Sequence, residues 1–417
     1  MNKKLIALAV TSVFAAPAFA QTSNVTLYGR ANLGLDNYSA TGATAGAAAD
    51  FKGRNRVFDT GSRLGVRGVE DLGGGLRAIF QIESGVNMDT GSNQSQGNQV
   101  NASSGFLGSR PSWVGVEGGF GRLTFGRQDV WWGNGTISQT GANYVNTDIP
   151  FLTGSAGRVN AGIARQSNVM QYTTPTFGGF NTTLSYQPNS EAAGANGNTN
   201  ARNAGVTARW AGGPISTQVD WSIVRAASPL GVAVTNRATN KNLKAAVGFT
   251  YMPGAQISVL VQQLRNIDSA QTAGTGFAQA GDDLKQTFFA ATWEHRFGNV
   301  QALAQLGFGG EVKGCTATAG SVSGVSGNTC ADSKTAAYML GARYIASKRT
   351  AIYLTYNQVK NGRNANMDYV GASYTSANNG TVATPATGGV PGTTQGLPVG
   401  SVGADPRIVA FGVQHNF

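Results

Sequence analysis

The chain has 417 residues, with 31 Lys and Arg against 20 Asp and Glu, and only 12% of its residues are charged. Glycine is abundant at 59 residues and proline scarce at 12, a balance that favours strands, turns and polar loops over collagen or a helical core. Beyond the first twenty residues no stretch approaches the roughly 18 consecutive apolar residues of a spanning helix, which excludes helical membrane insertion; the basic excess lies in scattered arginines, not in the Lys-rich runs of a nucleic-acid binder.

The chain opens with Lys3 and Lys4, runs through apolar residues from Leu5 to Ala16, and reaches the small-x-small site Ala18-Phe19-Ala20 before Gln21. That is the pattern of a cleavable secretion signal, so residues 1–20 are expected to be removed. Lys3 and Lys4 leave with the signal, taking 31 basic residues to 29 against 20 acidic ones in the chain 21–417. A secreted basic chain points to a membrane surface or an anionic solute, with no role for nucleic acid. Nearly 400 residues would fill two or three soluble domains or one large barrel.

A repeated grammar favours the barrel. Two alternating segments of about ten residues are joined by a tight turn, and a long polar stretch precedes the next pair. Short joins fall at 70–75 (EDLGGG), 117–121 (EGGFG), 175–179 (PTFGG), 211–214 (AGGP), 252–255 (MPGA), 296–299 (RFGN) and 347–350 (SKRT). Longer connections rich in Gly, Asn, Ser, Thr and Ala begin near Asp36, Val86, Gln128, Pro188, Ala226, Ile267, Val312 and Asn361. These fifteen connections imply sixteen strands. Short turns on one side and long loops on the other describe an antiparallel outer-membrane β-barrel, its turns in the periplasm.

The first strands are VTLYGRANLGL from Val25, SRLGVRGV from Ser62 and LRAIFQIE from Leu76, and the last ends at Phe417. In LRAIFQIE, Leu76, Ala78, Phe80 and Ile82 share one face and Arg77, Ile79, Gln81 and Glu83 the other, the period of a strand with lipid outside and water inside. Tyr186, Phe249, Tyr251, Tyr344 and Phe417 stand near strand ends, where an aromatic girdle meets the membrane interfaces. Cys315 and Cys330 enclose a short polar segment, and in an oxidising compartment they are expected to pair.

The segments SRLGVRGVEDLGGGLRAIFQIESG from Ser62, FGRLTFGRQ from Phe120, QYTTPTFGGF from Gln171 and the terminal Phe417 resemble the Gram-negative general porin superfamily, and within it the anion-selective β-proteobacterial porins. The family's PEFGG stands here as PTFGG, with Thr176 in the acidic position of a turn. The resemblance implies a homotrimer of sixteen-stranded barrels whose third long connection, about 128–166, folds inward and narrows each pore. That connection is rich in bulky residues, including Trp131, Trp132, Tyr144, Ile149, Phe151 and Leu152, which suit packing against an inner wall. The trimer contact it implies uses the first five strands and the last.

Charge placed in the narrowest part of such a pore sets its selectivity. On the second strand, Arg63 and Arg67 share the parity of Gly65 while Leu64 and Val66 take the outward face, so both arginines face the lumen. Arg110 opens the fourth strand and Arg165 stands where the third connection meets the sixth. The resemblance implies a constriction cluster of three arginines at Arg63, Arg110 and Arg165. Glu83 and Asp148 resemble the family's acidic wall, facing the basic one across a transverse field, with Asp129 as the alternative to Asp148. Arg77, near a periplasmic rim, is left outside the site. So is Arg127, which faces the lumen only with a bulge.

The expected activity is a water-filled channel for passive diffusion of small hydrophilic solutes and ions, with a bias towards anions and without cofactor or metal. A substrate-specific channel for phosphate or organic acids is the alternative, since arginines suit both oxyanions. An outer-membrane hydrolase would need a nucleophile, a base and an orienting group within reach. The chain's histidines are His295 and His415, both read as interfacial, and no GxSxG or HExxH motif occurs.

Overall fold

The computed structural model describes residues 23–89, 107–130, 165–188, 203–225, 239–267, 283–315, 330–365, 367–369 and 402–417. Its strands are β1 Ser23–Thr41, β2 Phe51–Asp59, β3 Arg63–Gly73, β4 Leu76–Gly85, β5 Ser112–Gly118 and β6 Gly121–Asp129. They continue as β7 Arg165–Thr173, β8 Phe180–Gln187, β9 Asn203–Gly212, β10 Ile215–Arg225, β11 Thr239–Met252 and β12 Ala255–Ile267. The last are β13 Leu284–Phe297, β14 Val300–Gly309, β15 Thr335–Ile345, β16 Thr350–Asn361 and β17 Asp405–Asn416.

These segments build a closed antiparallel barrel of sixteen strands, because β2 and β3 are successive halves of one strand. Both pair with β1, β3 along Ser23–Arg30 and β2 along Leu33–Ala40, while β17 closes the ring on β1 from Arg30 to Thr41. The break between the halves falls at Gly61, whose φ of 72° opens the left-handed region that glycine adopts without strain. Asn32 bridges the gap: its amide donates to the Thr60 carbonyl at 2.8 Å, and its backbone N–H donates to the Ser62 hydroxyl at 2.9 Å. The first long connection thus begins after Thr41, not at Asp36, and 51–59 extends the second strand upward. All seven short turns join the strand pairs the sequence marked.

Facing of side chains follows the period of two. Leu27, Leu35, Val57, Ile82, Val114 and Phe125 are exposed on the outer surface, whereas Asn32, Gln262 and Gln305 are buried towards the inside. In water that exterior would be an oversized apolar patch; in a bilayer each large side chain it holds gains about 1.5–3 kcal/mol relative to water. Aromatic residues gather at the short-turn end of the outer face. There Trp293 Nε1 donates to the Tyr251 hydroxyl at 2.9 Å, Tyr251 meets His295 Nδ1 at 2.8 Å, and the His295 and Phe297 rings stack. His415 lies on the outer surface too, 2.9 Å from the Thr350 hydroxyl.

Two further features shape the interior. Leu260, Leu264, Phe288, Met339, Tyr353 and Ile408 form a buried apolar cluster across β12 to β17. The start of the last long connection also turns inward: Tyr38 of β1, on the lumen face, donates to Asp368 Oδ1 at 3.1 Å, and Asn361 holds the Met367 and Ala404 carbonyls. Cys315 and Cys330 are joined by a disulfide, with Cα atoms 5.9 Å apart. The secretion signal at 1–20 lies outside the described residues.

Candidate functional site

Adjacent antiparallel strands place residues of one face side by side, and that brings the arginines together. Arg63 opens β3, and Glu83 of β4 pairs directly with Gly65, so Arg63, Arg67 and Glu83 share the lumen face of neighbouring strands. Glu83 therefore stands inside the basic wall and not across the pore from it. The transverse arrangement expected for this residue does not form, because two strands in register cannot put same-face residues on opposite walls.

Arg110 stands two residues before β5. Its backbone N–H donates to the Glu83 carbonyl at 3.0 Å, which prolongs the ladder and delivers its side chain to Glu83, where Nε donates to Oε1. The second carboxylate oxygen, Oε2, accepts the Tyr28 hydroxyl at 3.0 Å and lies 3.7 Å from Arg63 Nε. Arg67 is exposed to the pore, with its guanidinium 5.4 Å from the centre of the Tyr28 ring, a cation–π contact.

Arg165 is the first residue of β7 and faces Asp129, the last of β6, across the ladder; Nε donates to Oδ1 at 2.6 Å. The third connection is thus shorter than 128–166 at both ends, since these residues belong to strands. Arg63, Arg110 and Arg165 lie within electrostatic reach of one another and of Glu83. Asp148, and the bulky residues Trp131, Trp132, Tyr144, Ile149, Phe151 and Leu152, lie outside the described residues.

Three arginines join this wall that sequence parity left out. The ladder between β6 and β7 shifts register between Gly126 and Gln128, with Gly126 at a φ of 142°. That bulge turns Arg127 towards Arg165, where Nε donates to the Ser109 carbonyl at 3.0 Å and Nη1 to the Ser167 hydroxyl at 2.9 Å. Higher on the same side, Arg56 pairs with Asp36 at 3.0 Å, and the Arg54 guanidinium lies 5.2 Å from the Tyr38 ring centre. Alternation in FKGRNRVFD, with Arg54, Arg56 and Phe58 on one face, was the available signal. Arg77 sits at the short-turn rim, 2.8 Å from Glu117, which also holds Arg122 at 3.1 Å.

On β10 and β11 a carboxylate and an ammonium pair directly inside the lumen. Asp220 and Lys244 are wholly buried and 3.2 Å apart, with Thr207 and Gln218 donating to the same carboxylate. Around Arg63, Arg67, Arg110, Arg127 and Arg165, by contrast, the described carboxylates are Glu83 and Asp129. Guanidiniums stay charged at any physiological pH, and low-dielectric walls focus their field into the lumen. Such a wall presents a positive field to the water of the lumen.

A family model described as Gram-negative porin matches residues 7–364 of the chain. An outer membrane porin protein of Bordetella pertussis is 30% identical over 396 residues, covering 87% of this chain and 95% of its own. Outer membrane porin protein 32 of Delftia acidovorans is 30% identical over 379 residues, with 87% and 90% covered. Among solved structures, the anion-selective porin from Comamonas acidovorans superposes with a TM-score of 0.63 at 24% identity, covering 95% of this chain and all of that one. A trimer form of OmpT from Vibrio cholerae gives a TM-score of 0.60 at 13% identity, with 95% and 100% covered. The chain belongs to the Gram-negative porins and is a channel-forming barrel of the bacterial outer membrane.

Proposed function

We propose that this porin passes small hydrophilic solutes with a preference for anions, and that Arg63, Arg67, Arg110 and Arg165 set that preference at the narrow part of the lumen. One observation carries the reading: five guanidiniums crowd the wall from β3 to β7 against the carboxylates of Glu83 and Asp129. The anion-selective porin from Comamonas acidovorans, with the same fold, supports it. In this reading residues 1–20 are a cleaved signal, 21–417 form one barrel, and the connection near 128–166, with Asp148, folds inward. The protein acts as a channel and not as an enzyme.

Barrels in a planar bilayer under a KCl gradient are expected to give a reversal potential of the anion-selective sign. Cation selectivity would overturn the assignment. Because a Debye length is about 10 Å at 0.1 M and 3 Å at 1 M, the preference should weaken as salt rises. A guanidinium cluster also fits the oxygens of phosphate and carboxylates in bidentate fashion, which favours a channel specific for phosphate or organic acids as the second reading. Concentration-dependent current block by one of these solutes would mark that specificity.

A homotrimer in outer-membrane lipid is part of the same proposal. Ala31, Leu33, Leu35, Val57 and Val413 line an apolar outward groove where β1, β2 and β17 meet, and its small residues suit close packing of a second barrel. A detergent-resistant, heat-labile trimer band is the expected result; a monomer under mild detergent would refute it.

A further inference from the structure

Tyr28 was not among the charged residues that parity singled out, yet it touches two members of the wall, Glu83 and Arg67. Its hydroxyl donates to Glu83 Oε2 at 3.0 Å, the oxygen that lies 3.7 Å from Arg63 Nε. Arg110 already holds the other oxygen, Oε1. The ring also carries Arg67, 5.4 Å from its centre. Gly65 of β3 makes room for this: a Cβ there would stand 2.4 Å from Tyr28 Cζ and 2.6 Å from the hydroxyl oxygen. Glycine at 65 thus lets the tyrosine lie across β3 and reach β4.

A carboxylate accepts from two guanidiniums readily, and a charge-assisted contact normally closes to about 2.7–2.9 Å. The Arg63 contact at 3.7 Å is well short of that closure. The competing donor at Oε2 is a neutral hydroxyl, which satisfies the oxygen without adding or removing charge. Glu83 therefore compensates Arg110 tightly and Arg63 only weakly, and most of the Arg63 field is left to the pore.

We propose that Tyr28 is a positioning residue for selectivity: its hydroxyl keeps Glu83 from closing on Arg63, and its ring seats Arg67. This rests on the reading of the arginine wall as the seat of anion preference. Removing the hydroxyl frees Oε2 to pair with Arg63, so one guanidinium is withdrawn from the lumen while the protein's net charge is unchanged.

The test is Tyr28→Phe in planar bilayers, with folded barrels verified by the heat-dependent gel shift. The anion-to-cation permeability ratio is expected to fall by roughly twofold near 0.1 M KCl and to match the parent near 1 M, where screening is strong. In a Glu83→Gln background the same substitution should change nothing, because no carboxylate remains to close on Arg63. Gly65→Ala, which keeps the hydroxyl and displaces the ring, should lower the ratio in the same direction. An unchanged ratio in Tyr28→Phe, or an equal fall with and without Glu83, would overturn the proposal. Arg63→Ala separates the two failures: if it too leaves the reversal potential untouched, the arginine wall itself is misread and the role of Tyr28 falls with it.

Discussion

The two halves of the lumen obey one strand period and differ in what they place on it. From β1 to β7 the inward positions carry Arg54, Arg56, Arg63, Arg67 and Arg165, with Asp36 and Glu83 between them. From β12 to β17 the same positions carry Leu260, Leu264, Phe288, Met339 and Ile408, interleaved with Gln262, Gln286, Gln305 and Asn357, all buried. Side-chain parity decides only which residues face inward. Charge decides what inward means: the first wall holds an electric field at the water, while the second is packed.

Breaking the first wall should have the largest effect. Replacing Arg63, Arg110 and Arg165 together with Ser leaves Glu83 and Asp129 without their main partners. The reversal potential at low salt is expected to lose its anionic sign and move to the cationic side. Retention of anion preference in this variant would place the selectivity elsewhere in the lumen.

The second wall should respond in the opposite manner. Phe288 is fully buried in the apolar cluster, and Phe288→Ala is expected to destabilise the barrel by about 3–5 kcal/mol, the usual range for removing a buried aromatic side chain. Denaturant unfolding would register the loss while the reversal potential stays where it was. A selectivity shift in this variant would erase the division between the walls.

The contrast also explains how much could be read from the chain alone. Barrel architecture was legible because every strand repeats the same alternation and every hairpin the same short turn, so errors at one strand do not spread. Arg63, Arg67 and Glu83 were legible because β3 and β4 are regular there. Arg127 was not, since a single bulge at Gly126 reverses its side and leaves no mark in hydrophobic periodicity. Arg54 and Arg56 were lost because Gly61 interrupts the strand and made 51–59 look like loop. The placement of Glu83 among arginines required knowing which strands pair in which register, and Tyr28 required knowing that Gly65 gives its ring a path to β4.

The disulfide comes next in expected size. Cys315 and Cys330 close a loop with a sequence separation of 15, for which chain entropy gives about 3 kcal/mol. Replacing both with Ser should speed proteolysis of the adjoining connection and leave conductance and selectivity as they were. The bridge lies between β14 and β15, on the packed side of the barrel, so a change in reversal potential would show that the quiet wall is coupled to the charged one.

The smallest effect is expected from Arg77, and it sharpens the comparison most because Arg77 shares the face of Glu83 on β4. Its guanidinium is half-exposed at the short-turn rim, paired with Glu117, and Arg122 holds the same carboxylate from the other side. Exposed ion pairs of this kind contribute about 0–1 kcal/mol, and Arg77→Ala leaves Glu117 still partnered by Arg122. Stability should stay within that margin. The reversal potential should move far less than in Arg165→Ala, which removes a largely buried guanidinium and takes from Asp129 its direct ion-pair partner. Two arginines of the same charge, both on the lumen face, then differ in function through their setting: at the rim the field spreads into bulk water, and deeper in the lumen the low-dielectric wall confines it to the path of the solute. Equal shifts from the two substitutions would mean that selectivity follows the total charge of the lumen and not its placement.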